Sequence, residues 1–517
     1  MLARSMDAVT EDRSFFGHPR GLATLFFTEM WERFSYYGMR ALLTLFMTTA
    51  VAAGGLGFGP EKAGPIYAMY TSLVYLVTIP GGWLADNFLG QRKSVFWGGL
   101  VIMAGHICLA VHGMLFFYSG LGLIVIGTGL LKPNISVMVG QLYSTEDDRR
   151  DSGFSIFYMG INLGAFGAPL VCGFLAQAPK FKSMLEGWGF DPIHSWHWGF
   201  AAAAVGMFFG VLQYVMTGRH LGSAGLYPTK PATPQIAANH RRTLTIGIVG
   251  VIVVVAILAI LGTSKPELLT EGNIHDAFTV LLLATVILFF GKLFLMGDWT
   301  KSERARLVTI FVLFCGAAVF WGIFEQAGST LTLFAERSTE NSVFGFSFPS
   351  SWWQSANALL IVALTPLFAW LWIRMGSKNP TYPAKFAIGL VFVGLGFALL
   401  VGGATLAKNG AKVSPFWLLG VYLLHTIGEL WLSPVGLSAM TKLAPVRVVS
   451  LMMGVWFLAA SVGNFIGGSV SGLYEKFELP TLFSVIAASG VVMGAIMFAL
   501  VKPMKRMMEE SERETAE

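Results

Sequence analysis

About fourteen separate runs of roughly 20 predominantly apolar residues recur along this 517-residue chain, each long enough to cross the ~30 Å hydrocarbon core of a bilayer as a helix. Within hydrocarbon no backbone N–H or C=O finds water, so such runs fold as helices packed side by side. The expected product is an all-α polytopic membrane protein. With 55% of its residues hydrophobic and 12% charged, the chain lies outside the composition of soluble multidomain proteins. The net charge of +6 would point to nucleic acid in a soluble protein. Here the bases fall mostly in short loops, where they set topology, and no nucleic-acid partner is expected. Cys108, Cys172 and Cys315 lie in apolar runs without metal-ligand spacing, so no metal and no cofactor are expected. The first twenty residues, with Asp7, Glu11, Asp12, Arg13 and Arg20, lack the short apolar core of a cleavable signal peptide.

The runs fall into groups. Six start near Gly21, Ala63, Lys93, Leu115, Ser152 and His197, and a second six near Leu307, Ser350, Pro383, Phe416, Val448 and Thr481. Between them, Arg219 to Arg242 reads as a polar linker rich in Gly and Pro, followed by two apolar runs, Leu244 to Leu261 and Phe278 to Met296. The expected organisation is a six-helix bundle over 21–218, a linker with two additional membrane helices over 219–304, and a second six-helix bundle over 305–503. This resembles the major-facilitator fold, in which substrate sits near the midplane between two rocking bundles. The stretch Gly82 to Lys93 is similar to that superfamily's signature loop, with one extra residue before the second glycine, Gly90. Loops at 91–93, 147–150, 241–242, 301–306, 374–378, 442–447 and 502–506 are basic and alternate with less basic ones, although Lys180 and Lys182 fall on the other side. Both termini are therefore expected in the cytoplasm, with the protein in the cell inner membrane.

Charges inside the apolar runs carry the chemistry. Glu29, Glu32, Arg33, Tyr36 and Arg40 share one face of the first helix at about 100° per residue. Charged groups cost roughly 3 kcal/mol each on insertion scales, so this face should line a polar interior rather than lipid. Lys132 extends the basic set in the first group, whereas Glu325 and Glu429 come from the second. A cavity basic on one wall and acidic on the other suits a zwitterion. Four acids against three bases leave one surplus carboxyl, the physical basis for proton coupling. In the empty protein Lys132 and Glu429 are expected to pair directly. Asn162 and Asn357 offer hydrogen bonds to an ammonium or a peptide group, and Tyr75, Trp321 and Trp456 offer walls for side-chain pockets. Pro80, Pro366 and Pro434 should bend helices, and Gly122 to Gly129 and Gly463 to Gly468 should allow close helix approach.

Five motifs together, Glu29-x-x-Glu32-Arg33 with Tyr36-Tyr37, Lys132-Pro133-Asn134, Phe157-Tyr158-x-x-Ile161-Asn162-x-Gly164, Phe324-Glu325-Gln326 and Glu429-x-x-x-Ser433-Pro434-x-Gly436, resemble the proton-dependent oligopeptide transporter family over nearly the whole chain. The resemblance implies that Arg33 and Lys132 meet a peptide carboxylate and that Asn162, Asn357 and Glu429 meet its amino terminus and backbone. It also implies that Glu29, Glu32 and Glu325 take part in proton coupling. Arg33 is expected to share in that coupling, and Tyr36, Arg40, Tyr75, Trp321, Ser433 and Trp456 are expected to complete the substrate site. The second span lacks the histidine that animal members use, which leaves proton handling to the glutamates. The function so implied is proton-coupled import of di- and tripeptides by alternating access, without enzymatic activity. A carrier of nitrate or another small organic anion is the alternative, and would not need the acid at 429; a membrane enzyme or peptide sensor is a more distant one.

Overall fold

The computed structural model describes residues 12–144 and 147–516. Asp7 and Glu11 lie outside the described residues. The membrane helices are α1 (Arg20–Thr48), α2 (Pro60–Leu89), α3 (Gln91–Leu109), α4 (Met114–Gly140), α5 (Arg149–Gln177), α6 (Ser195–Thr217), α7 (Pro234–Ser264), α8 (Glu271–Leu295), α9 (Lys301–Ser338), α10 (Gln354–Met375), α11 (Tyr382–Leu406), α12 (Phe416–Leu443), α13 (Met452–Ser471) and α14 (Leu479–Ala516). Among the described residues twelve helices are long and apolar enough to span a membrane. The more polar α1 and α3, of 29 and 19 residues, add two, as the pattern of apolar runs predicts.

The apolar core is divided. Leu22, Met39, Tyr67, Ile124, Ile135 and Phe200 lie in buried clusters of the first six helices, whereas Phe320, Phe386, Phe397, Leu443 and Phe483 share one cluster of the last six. The two inserted helices behave differently from each other. Phe278, Leu282, Phe290 and Leu293 of α8 belong to the second bundle's core. No residue of α7 is buried.

Three local features depart from the expectations drawn from sequence. The linker is shorter than Arg219 to Arg242, because α7 already begins at Pro234. Thr233 caps it by accepting the amide of Ile236, and Pro at the first helical position loses no hydrogen bond. The rest of the linker is docked: Arg92 donates to the carbonyls of Gly222 and Ala224 at 2.6 and 2.8 Å, and the Thr229 amide to Asp86 at 2.8 Å. The extra residue in the signature loop is absorbed by a wide π-type turn at Ala85–Leu89, closed by Gly90 at φ 79°.

Proline acts as expected at Pro80, where the missing N–H separates Pro60–Leu76 from Thr78–Leu84. Pro366 and Pro434 lie inside continuous helices. Of the glycines, Gly127, Gly129, Gly463, Gly467 and Gly468 sit against neighbouring backbone, and Gly122 faces open space.

The bundles meet tightly at one end of the molecule. There the Ser72 and Ser461 hydroxyls are 2.8 Å apart and Gly468 lies on the backbone of Ala68, joining α2 to α13. Between α5 and the start of α10, Ser355 donates to Phe166 O at 2.7 Å, and Trp352 in the turn at Ser350–Trp353 just before it donates to Leu170 O at 3.2 Å. At the other end, where Asp12 meets Arg149 and Glu303 meets Arg447, a cavity separates Asp86, Gln141 and Arg150 of one bundle from Leu451 and Met453 of the other.

Candidate functional site

Between the bundles lies a cavity of about 1500 Å³ that reaches the parted end near Asp86, Gln141, Arg150 and Met453. It is lined by Glu29, Arg33, Arg40, Tyr75, Lys132, Asn162, Trp321, Glu325, Asn357, Glu429, Ser433 and Trp456, which the sequence singles out. Two others named there do not line it. Glu32 is buried behind Arg33, and Tyr36 is turned into the first bundle's core beside Met39 and Tyr67. A helix rotates about 100° per residue, so the next tyrosine, Tyr37, takes the cavity face that was expected for Tyr36.

The first basic group is a compact triad. Arg33 Nε lies 3.0 Å from Glu29 Oε1 and 2.5 Å from Glu32 Oε2, with all three side chains buried. The approaches are ionic rather than aligned hydrogen bonds, since Arg33 Nε and Nη2, Glu29 Oε2 and both Glu32 oxygens have no hydrogen-bond partner in the protein. Hydrogen-bonding capacity thus remains in the triad. With both acids ionised it carries one negative charge, and with one proton it is neutral.

Arg40 leaves the triad and reaches across the molecule. Its Nη2 is 2.5 Å from Glu325 Oε2 and 3.4 Å from the Glu325 carbonyl, while Nε donates to Tyr67 Oη at 2.9 Å. Helix α9 is broken here: Lys301–Phe324 gives way to a tight turn at Glu325–Gly328 before the helix resumes at Thr330. A break inside a membrane must find partners for its freed carbonyls. Thr44 of α1 donates to Gly328 O at 2.7 Å, Thr332 to Ala327 O at 2.8 Å, and Gln354 of α10 also to Ala327 O. A Cβ at position 328 would overlap the Tyr67 hydroxyl, so this close approach requires glycine.

Lys132 Nζ sits 3.9 Å from the centre of the Tyr75 ring, a cation–π contact within the first bundle. Gly81 and Gly129 bring α2 and α4 together beside it, because a Cβ on Gly81 would collide with the Gly129 carbonyl. Opposite, Glu429 Oε2 accepts from Asn357 Nδ2 at 2.9 Å, and the same amide donates to Thr426 at 3.1 Å. The expected Lys132–Glu429 pair is absent among the described residues. Each group has a neighbour on its own side, and the ion pair that does cross between bundles is Arg40–Glu325. Asn162 bonds to Tyr158 O at 3.0 Å within its own helix, leaving its amide oxygen for the cavity. Trp321 and Trp456 meet edge to face at 6.3 Å.

Sequence reading missed Tyr67, Thr44 and Gln354, which hold the broken helix and its ion pair. All are polar residues in apolar runs, but none carries a motif, and their partners are more than 20 residues away in the chain. Among the described residues no cluster of metal-ligating side chains is present.

The profile of the POT family matches residues 92–492 of the chain. The chain is similar to the uncharacterized transporter YclF of Bacillus subtilis, with 43% identity and 96% of each chain covered. It is similar to the peptide transporter YePEPT of Yersinia enterocolitica, with 39% identity and 97% of each covered. The crystal structure of the peptide transporter POT in complex with sulfate superposes with a TM-score of 0.89 at 41% identity, over 98% of this chain and 99% of that one.

Proposed function

Because the chain belongs to the proton-dependent oligopeptide transporter (POT) family of multi-pass membrane proteins, we propose that it imports di- and tripeptides together with protons by alternating access. The observation that carries this reading is the opposition of Arg33 and Lys132 in one wall of the cavity to Glu429, held by Asn357, in the other. A zwitterionic peptide offers a carboxylate to the first wall and an ammonium to the second. Truncating either end of the ligand would leave a partner unpaired at roughly 2 to 5 kcal/mol.

In this reading the parted end of the cavity faces the cytoplasm. The basic residues Arg92, Arg150, Arg219 and Arg447 lie at that end, with Asp12 before the first helix and Met507 near the end of the last. The structure is then inward-open, and residues 21–218 and 305–503 act as the two rocking halves. Proton coupling rests on two sites. The Glu29–Glu32–Arg33 triad reaches charge balance with one proton, and the Arg40–Glu325 pair ties α1 to α9 on the closed side. A proton on Glu325 removes that tie, so protonation of Glu325 and opening to the outside favour each other. Uptake of labelled dipeptide into proteoliposomes tests the proposal. Accumulation should require an inward proton gradient and collapse with a protonophore; accumulation that survives the protonophore and follows sodium overturns it.

A further inference from the structure

Helix α8 carries a stripe three or four residues apart along one face, Phe278, Leu282, Thr285, Phe289 and Leu293, that is not used uniformly. Phe278 packs on Phe465 of α13 at 5.2 Å, and Leu282 and Leu293 are buried. Between them Thr285 and Phe289 are half-buried and line the central cavity. The reason lies in the seam between α2 and α13. It is sealed as far as Ser72 and Ser461, and beyond that point Leu76 and Ile79 on one side and Phe457 on the other become cavity wall. There the two helices face the cavity instead of sealing it, and α8, tied to both, runs along the gap on their outer side.

Its position is fixed from both sides. Glu271 pairs with Lys62 of α2 at 2.5 Å, and His275 donates to or accepts from Ser469 of α13 at 2.8 Å while stacking on Phe465. Further along, Phe290 is wedged against Phe311 and Phe314 of α9 at 4.9 and 5.0 Å, which turns the adjacent Phe289 towards the gap. Thr285 spends its hydroxyl on Leu281 O at 2.8 Å, so it brings no unpaired polar group to the wall.

We propose that α8 supplies a specificity-determining wall of the substrate cavity, with Thr285 and Phe289 closing a lateral apolar recess that receives a side chain of the cargo. The inference rests on the peptide reading above and adds to it a size filter in a helix outside both six-helix bundles. A recess bounded by Leu76, Ile79, Phe457 and Phe289 gains from an apolar side chain through burial and has no polar group with which to reward a charged one.

The test is the ratio of KM for alanyl-tryptophan to KM for dialanine, measured by uptake in proteoliposomes holding the full chain. Within one variant the ratio cancels differences in folding and yield. Phe289→Trp and Thr285→Leu fill the recess and should raise the ratio about tenfold, the scale at which an apolar pocket discriminates by size. Phe289→Ala enlarges the recess and should lower it. Ratios at the wild-type value in all three variants, with wild-type uptake of both peptides intact, overturn the recess alone. Wild-type protein that moves neither peptide overturns the peptide reading, and the recess with it.

Discussion

Arg40 has its charge balanced by a residue 285 positions away, Glu325. Removing one partner of a buried pair leaves the other uncompensated, usually at about 3 to 5 kcal/mol. Glu325→Gln should therefore cut proton-driven accumulation at least about tenfold. Exchange of labelled for unlabelled peptide, which needs no return of an empty carrier, should suffer less, and equal loss in both assays would reduce the pair to a structural role. Asn357 acts on a single carboxylate oxygen of Glu429. Asn357→Ala should weaken dipeptide binding in calorimetry by about 1 to 3 kcal/mol, through loss of the donor that orients the acid. Most of the charged cavity lining was legible in the sequence, because a charge inside an apolar run is too costly to leave facing lipid and must turn towards a polar interior. How the charges pair was not. Lys132 and Glu429 are opposite in sign and come from opposite walls, yet Tyr75 and Asn357 reach them first, and nothing in the order of residues reveals that.

At the scale of elements, the break in α9 concentrates the constraint. Gly328→Ala places a methyl group where the Tyr67 hydroxyl sits beside Arg40. Overpacking of this kind costs about 1 to 3 kcal/mol, so the variant should melt at lower temperature and lose uptake together, as read by thermal unfolding in detergent. The break coincides with the polar run Glu325-Gln326-Ala327-Gly328-Ser329-Thr330, which sequence reading takes as a single charge inside one membrane span. A different sensitivity belongs to the segment before α1. There Phe15 and His18 exchange backbone hydrogen bonds, and the His18 Nδ1 lies 2.9 Å from the Tyr143 hydroxyl. Burial, and then the Arg149 guanidinium, hold His18 below the usual histidine value of 6.5. With a depressed pKa, docking is fully stable above pH 6.5 and weakens as pH falls from there through the folded value, because the released segment takes up the proton first. The protection factors of the Phe15 and His18 amides, taken relative to intrinsic exchange at each pH, should fall over that interval, and His18→Gln should flatten the profile.

Taken whole, the molecule is closed at one end by small residues in register and open at the other. Ser461→Trp drives a bulky ring into the sealed seam between α2 and α13, where the partner hydroxyl is 2.8 Å away. The expected result is a shift towards the conformation open at that end, seen as shorter distances between spin labels across the cavity mouth. Unchanged distributions in a folded protein would mean that this seam is not the moving one. The two-bundle plan was legible from the grouping of apolar runs and the polar gap after the sixth. The unequal roles of α7 and α8 were not, since both read as uninterrupted apolar stretches and only packing tells them apart.

That inequality has a consequence for how the chain can change over time. Beyond His240, whose ring meets Trp83 edge to face at 6.0 Å, a helix with no buried residue answers chiefly to the thickness of the surrounding lipid. The 18 residues from Leu244 to Leu261 span about 27 Å, close to one hydrocarbon core, with His240, Arg241 and Arg242 left at headgroup depth. Within α7, sequence can drift so long as length and oiliness persist, whereas α8 a few residues later is pinned position by position. Exchanging 244–261 for an unrelated apolar segment of the same length should leave transport kinetics unaltered, and shortening it should matter in thick bilayers before thin ones.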